Sequence, residues 1–459
     1  MTSEISRERH VNPWWVAVVS GMASYIDSCA IISSGIALVI YQNTFGLTNA
    51  QFGMLSAALT FCIAIGSIFG GRLGDRYGRK PVFSVTMVML IVGAVLLISM
   101  PVFVPADVTS SISGQVAALQ QEAAAANKEF VMPDGLSSQL PAFFFPLLLL
   151  GQLLLGFGVG ADLPVSLATI AEEAPDDKRG KMLLFSDILW VVGIVVAQGV
   201  GALVGDWGID GGMIMFGQLA AVSLIVLIAR QTIPESPVWI KAHQDRLAGK
   251  ISENEGTGKV GDLLKAPYAV PFIALVIFYI GTNVPANTLG QFSTWVGTNV
   301  AHLDISLTAT IGLIVYPIRA LLDLVFMKFV DTDKRMPLFY GGAVLYLLGF
   351  LMFPLFGASS TTYVLTQLLY CVGAAFAFEG ILKVWMQECF PTLLRTTANG
   401  TIVFASRFLC AVSGYFTASI IVAVGYKAAF GILAAFCLVG FAAAIYAFHG
   451  KRYNAFEAE

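Results

Sequence analysis

The chain has 459 residues, 57% of them hydrophobic and only 12% charged, with a formal net charge of −3. A soluble domain carries about 25% charged residues, so a soluble globular protein and a disordered one are both excluded. Nothing in the charge balance suits a nucleic-acid partner, and a polytopic membrane protein remains.

Apolar runs of the roughly 20 residues that a bilayer requires fall at 14–42, 51–71, 82–101, 142–171, 182–205, 212–232, 268–297, 306–330, 337–357, 362–389, 397–424 and 427–448. The first is too long for a signal peptide, and Glu4 and Glu8 lie among the arginines before it. Of the 26 Lys and Arg, 21 fall on the side of the N-terminus, Arg230 among them. Lys128 and Lys427 lie on the other side and three lie within spans. That asymmetry predicts both termini in the cytoplasm. The polar stretch 102–141 is then external. Its part from Gln115 to Glu129, rich in Ala, Gln and Glu, predicts a short helix that either caps the outer mouth or decorates a loop.

Two loop patterns recur. Asp75 to Pro81 and Asp331 to Pro337 both read D-x3-R-x-P, with Arg79 and Arg335 as the arginines. Glu172 to Arg179 and Glu388 to Arg395 both read E-x2-P-x3-R. The two offsets differ by 40 residues, the length of 102–141. Removing that stretch brings the repeats into register, so the chain reads as a duplication: 1–232, a polar linker at 233–267, and 268–459. The acids and arginines of these loops (Asp75, Arg79, Glu172, Arg179, Asp331, Arg335, Glu388, Arg395) are predicted to pair across helix ends as cytoplasmic latches that break when the halves move.

The cysteines (Cys29, Cys62, Cys371, Cys389, Cys410, Cys437) form no C-x-x-C pair and read as buried small hydrophobes. The histidines (His10, His243, His302, His449) lie outside the spans or at their ends, which leaves proton chemistry in the membrane to carboxylates. No metal or cofactor is expected.

Eight ionisable residues fall within spans: Asp27, Asp162, Asp187, Arg319, Asp323, Glu379, Lys383 and Arg407. Each costs roughly 2.5–3.5 kcal/mol at a helix centre unless it meets water or a partner. Arg319–Asp323 and Glu379–Lys383 are spaced for intrahelical ion pairs. A poorly hydrated carboxylate can hold a proton near neutral pH, which makes Asp27 and Asp162 the predicted coupling pair. Arg407 is left either to hold an anionic substrate or to pair with Asp27 or Asp162. Asn283, Asn287 and Gln291 share one helical face, where three amides call for water, ligand or partners. Pro285 among them allows a bend. The predicted substrate-binding set is Tyr25, Asp187, Trp190, Asn283, Asn287, Gln291, Glu379, Lys383 and Arg407.

Gly71-Arg72-Leu73-Gly74-Asp75-Arg76-Tyr77-Gly78-Arg79-Lys80 resembles the cytoplasmic signature of the major facilitator superfamily. Pro234-Glu235-Ser236-Pro237 resembles the segment that closes the first half of its sugar porters, with Val238 in place of their Arg. Tyr25-Ile26-Asp27 matches the acidic position of the proton-coupled members, and Gln152 stands where those carry an Arg. Gly160 to Ser166 is similar to a stretch of phosphate and metabolite symporters, and the seventh span keeps Gly281-Thr282-Asn283 but has Ile277 and Phe278 for the sugar porters' Gln pair. The resemblance implies an all-α membrane fold of twelve helices in two six-helix pseudo-repeats.

It further implies a secondary transporter working by alternating access. The expected function is proton symport of a sugar, polyol or sugar-like solute. An organic or inorganic anion (carboxylate, sugar acid, phosphate) is the alternative substrate, and a transport-silent sensor on the same fold is a further one. The chain carries no phosphate loop and no hydrolase motif, so no enzyme is expected. The expected partners are a small polar solute, protons and a lipid bilayer. The expected form is a functional monomer in a bacterial inner membrane.

Overall fold

Asn12 caps the first helix, α1 (Pro13–Phe45), by accepting the Trp14 amide, and Pro13 opens it at a position that forfeits no hydrogen bond. Gly46, at φ 63°, ends it in the left-handed conformation that glycine adopts at little cost. Thr48 and Gln51 form a capping box that starts α2 (Asn49–Tyr77). The chain turns at Gly78 into α3 (Arg79–Ser99). There the Glu235 carboxylate accepts the Arg79 amide at 2.8 Å and the Lys80 amide at 3.1 Å, an anion on a helix N-terminus. That contact explains why the Pro234-Glu235 segment returns to the signature loop.

This computed structural model describes residues 12–125, 130–173, 175, 179–235, 240, 244, 260–330, 332–390 and 392–450. The first half continues with α4 (Ala106–Ala125), α5 (Phe144–Glu173), α6 (Arg179–Val204) and α7 (Ile209–Arg230). The second half holds α8 (Ala269–Gly290), α9 (Ser293–Asn299), α10 (Ile305–Met327), α11 (Arg335–Phe356), α12 (Ser360–Ala377), α13 (Glu379–Cys389), α14 (Thr392–Val424) and α15 (Tyr426–Phe448). α8 with α9, and α12 with α13, each make one interrupted crossing, so the described residues provide twelve crossings besides α4. Apolar side chains such as Leu203, Ile225, Ile228 and Leu355 are exposed on the outer faces, as a lipid environment requires. α1 is central: 94% of its most apolar window is buried.

Both interruptions depart from the sequence expectation. The predicted helix 268–297, in which Pro285 allows a bend, stays helical through Pro285 as α8 and is interrupted further on, at Gln291–Phe292. The predicted helix 362–389 breaks at Phe378, whose φ of −134° and ψ of −122° lie outside helical space. A broken helix frees backbone groups, which a membrane tolerates where they line a cavity. The helix predicted at 115–129 begins earlier, at Ala106, and residues 126–129 lie outside the described residues. α4 packs on α1, and Ile112, Val116, Phe130 and Met132 form a small core beneath it.

The end of the molecule that carries α4, the cap end, is where the halves close on one another. A Cβ on Gly35 of α1 would collide with the Gln291 carbonyl, and one on Gly53 of α2 with the Tyr415 carbonyl of α14. Asp206 accepts the Ser306 amide at 3.3 Å. The Phe130 amide, from the α4 segment, donates to the Asn299 carbonyl of the other half at 3.2 Å. α4 and its segment therefore cap the seam between the halves.

Candidate functional site

Between the halves, at the depth of the helix middles, lies a cavity walled on one side by Ser28 and Ile32 of α1, Thr60 of α2 and Trp190 of α6. The opposite wall is Asn283 and Asn287 of α8, Arg319 of α10, Phe378 and Glu379 at the α12–α13 break, and Arg407 of α14. Gln291 closes the cap end.

Asp27 and Arg407 meet across this seam. Each lies at the middle of a 33-residue helix, Asp27 in α1 and Arg407 in α14. Asp27 is fully buried behind Trp190; its Oδ2 accepts from Trp190 Nε1 at 3.2 Å and from an Arg407 guanidinium nitrogen at 3.4 Å. Its Oδ1 has no hydrogen-bond partner among the described residues. Ser28 fastens the same corner by donating to the Trp190 carbonyl at 2.6 Å. Gln152, at the position where the resembling porters carry an Arg, is buried with neither amide atom hydrogen-bonded among the described residues. The cation facing Asp27 thus comes from the opposite half. Of the alternatives left open for Arg407, the structure realises the pair with Asp27.

Arg319 crosses the cavity in the same sense. Its guanidinium lies 5.9 Å from the Trp190 ring centroid, in the first half, and 5.7 Å from that of Phe378, in the second. The predicted pair with Asp323 is present as a long contact of 3.7 Å. Glu379 accepts from Tyr279 O–H at 3.1 Å and stands in the first turn of α13, where a carboxylate is favoured. Lys383, one turn further on, is exposed and is not part of the cavity wall.

The amide stripe is brought together as expected, with its members in different roles. Asn283 Nδ2 donates to Ser406 Oγ at 2.9 Å. Gln291 spans the halves: its Nε2 donates to the Ser56 carbonyl at 3.1 Å and its Oε1 accepts from Thr60 Oγ1 at 3.0 Å. It is a cap-end bolt in this conformation. Asn287 lines the cavity beside it.

Asp162, the other member of the predicted coupling pair, is not brought to Asp27: it is buried away from the cavity wall, against the last residue of α7. Its carboxylate forms a two-pronged ion pair with Arg230, Arg230 also donates to Ser166 Oγ at 2.9 Å, and Thr86 Oγ1 donates to Asp162. The Arg230 guanidinium lies 4.4 Å over the Phe83 ring. Arg230, counted among the solvated basic residues of the cytoplasmic side, is only 2% exposed. Its position as the last residue of α7 hid this, because a basic residue at a span's end reads by default as loop charge.

Tyr25 is buried against α6 and is not part of the cavity wall. Among the latch residues, Arg335 pairs with Glu388 at 2.7 and 2.8 Å. Both belong to the second half, so this pair fastens α11 to α13 and does not itself bridge the halves. The side chains of Asp75, Glu172, Arg179, Asp187 and Arg395, and all of Asp331, lie outside the described residues.

A profile of the Major Facilitator Superfamily matches residues 14–414. The chain belongs to that superfamily. It is therefore a multi-pass membrane transporter and not an enzyme. This major facilitator is 26% identical over 409 residues to the minor myo-inositol transporter IolF of Bacillus subtilis (strain 168), covering 88% of this chain and 83% of that one. It is 26% identical over 436 residues to the D-xylose-proton symporter of Escherichia coli (strain K12), covering 85% and 81%. Its fold is similar to a crystal structure of a D-xylose-proton symporter, with a TM-score of 0.74, 18% identity and 95% and 99% of the two chains covered. The partially occluded inward open conformation of the xylose transporter XylE from E. coli is also similar, with a TM-score of 0.71, 17% identity and 96% and 100% covered. The likeness to these structures carries the twelve-helix architecture in two six-helix halves.

Proposed function

We propose that this transporter is a proton symporter that imports a small polyhydroxylated solute (a sugar, polyol or sugar-like molecule) by alternating access. The observation that carries the reading is the Asp27–Arg407 contact, because it joins the two halves at the cavity. Ionised Asp27 holds Arg407 and with it the second half. A proton on Asp27 cancels the carboxylate charge and releases the guanidinium. The halves then exchange one seating for another only when proton and solute are both in place or both absent, which is the requirement for coupling. Asn283 and Asn287 supply amides for hydroxyl groups, and Gln291 exchanges its bonds to α2 when the cap end opens.

The relatives named for myo-inositol and D-xylose–proton transport support both parts of this reading. The transporter is proposed to work as a monomer in a bacterial cytoplasmic membrane, with both termini inside and the cap end outside. Asp162 is assigned to fastening α5 to α7, and the Arg335–Glu388 pair and the remaining loop charges to holding helix ends on the inner side.

Thermal unfolding of the detergent-solubilised protein against hexoses, pentoses, polyols, sugar acids, aliphatic carboxylates, phosphate and amines tests the solute class. A ligand at about a hundred times its Kd stabilises the folded state by about 2.7 kcal/mol. Polyhydroxylated compounds are expected to raise the midpoint. A rise with phosphate or amines alone would contradict the proposed class.

A further inference from the structure

Among the described residues, the cavity wall holds two guanidiniums and one carboxylate: Arg319, Arg407 and Glu379. A second carboxylate, Asp27, stands just behind the wall and is the ion-pair partner of Arg407. These four charges balance only while Asp27 is ionised. Asp323, which contacts Arg319 at 3.7 Å, is about a third exposed and sits outside the wall, behind Arg319.

Resting on the reading above, we infer that the natural solute is a sugar acid, a polyhydroxylated compound whose carboxylate takes the place of Asp27 on Arg407. Once Asp27 takes up its proton, the two guanidiniums of the wall share Glu379 as their one carboxylate there, so a neutral solute leaves the wall with one positive charge in excess inside the membrane, and an uncompensated buried charge is costly. A carboxylate restores the pair, and a guanidinium suits it geometrically, with parallel N–H donors for its two oxygens. Asn283 and Asn287, on the same wall, face the hydroxyl groups. Proton and anion are then coupled through one side chain: the proton removes the carboxylate that is in ion-pair contact with Arg407. By linkage each tightens the other's binding.

The charged and titratable groups around the pair are known from the packing. Tyr25 and Cys29 lie on α1 itself. Tyr279 of α8, Glu379 of α13 and Cys410 of α14 surround Arg407. Arg319 of α10 reaches the pair through Trp190. Among the described residues, Glu379 is the other carboxylate near Arg407; it shares that wall and is engaged by the Tyr279 hydroxyl.

The test is equilibrium binding to the purified full-length protein, with D-gluconate, D-galacturonate and D-glucarate against D-glucose, D-galactose and myo-inositol. Measurements are made near pH 5.5 and near pH 8. Both lie above the range of a free carboxyl group, about 3.3–3.7, so the acids stay ionised throughout. At least one acid is expected to bind more tightly than its neutral counterpart, and about tenfold more tightly at the lower pH. Asp27→Asn is expected to erase that pH dependence. Arg407→Gln is expected to weaken acid binding by about ten- to a hundredfold, with partial rescue in Arg407→Lys. Thermal midpoints of the variants separate lost binding from lost folding. Neutral compounds binding while all three acids do not would overturn this inference and leave the symporter reading standing. Acid binding unchanged in folded Arg407→Gln would overturn it as well. Failure of every compound to bind would overturn it too, and the absence of proton-coupled uptake in vesicles would then remove the symporter reading separately.

Discussion

Asp27→Asn is expected to abolish concentrative uptake in vesicles while leaving downhill exchange measurable. The amide is close in shape to the protonated acid and can still accept from Trp190 Nε1, so the corner between α1 and α6 stays built. It cannot lose a proton, so it cannot re-form the ion pair with Arg407 that distinguishes the proton-free state. A carrier locked in the protonated form still reorients with solute bound and so exchanges solute for solute, but it cannot return empty, and no accumulation develops because no proton energy enters the cycle. Normal concentrative uptake by this variant would remove Asp27 from the coupling.

Arg230→Met is expected to produce the largest loss of stability of any single change named here. It strands a carboxylate that is 1% exposed, and breaking a buried pair from one side costs about 3–5 kcal/mol. The Asp162→Asn/Arg230→Met double variant is expected to recover most of that loss, because no charge is then left buried alone. Thermal unfolding in detergent reads both. An unchanged midpoint in Arg230→Met would contradict the fastening role. The double variant also decides the fate of the predicted coupling pair. Concentrative uptake by it confines Asp162 to structure, whereas simple equilibration restores Asp162 to the proton path.

The architecture was legible because it rests on long-range regularities. Twelve apolar runs and two repeated loop patterns survive an error of several residues at every boundary. The 40-residue excess was legible for the same reason, and α4 with its small core occupies it. The position of Asp27 was legible as a charge at the middle of a long apolar helix, since the cost of such a charge demands a purpose.

The partners of the charges were not legible. Arg407 lies 380 residues from Asp27, and sequence offers no distance between helices. Arg230 stands at a helix end, where solvated and buried arginines look alike in sequence, and only the packing of Phe83, Thr86 and Ser166 separates them. The break at Phe378 has no proline to announce it. It follows from tertiary context, with Arg319 over the Phe378 ring and Glu379 opening a new helix. Gln291 was legible as a costly polar residue, while its role as a bolt between halves depended on meeting Ser56 and Thr60. The presence of Gln152 in place of an Arg was a usable signal. It implied that the cation facing Asp27 had to come from elsewhere, and Arg407 was the mid-membrane arginine without an acid at helical spacing on its own helix.

Proton flux during solute uptake tests the coupling most directly. Purified protein in vesicles loaded with a pH-sensitive dye is given, with no imposed gradient, the compound that most raises its thermal midpoint. Wild-type vesicles are expected to acidify inside as the solute enters, and Asp27→Asn vesicles preloaded with the solute are expected to exchange it without acidifying. Solute uptake by the wild type with no change of internal pH would contradict proton symport.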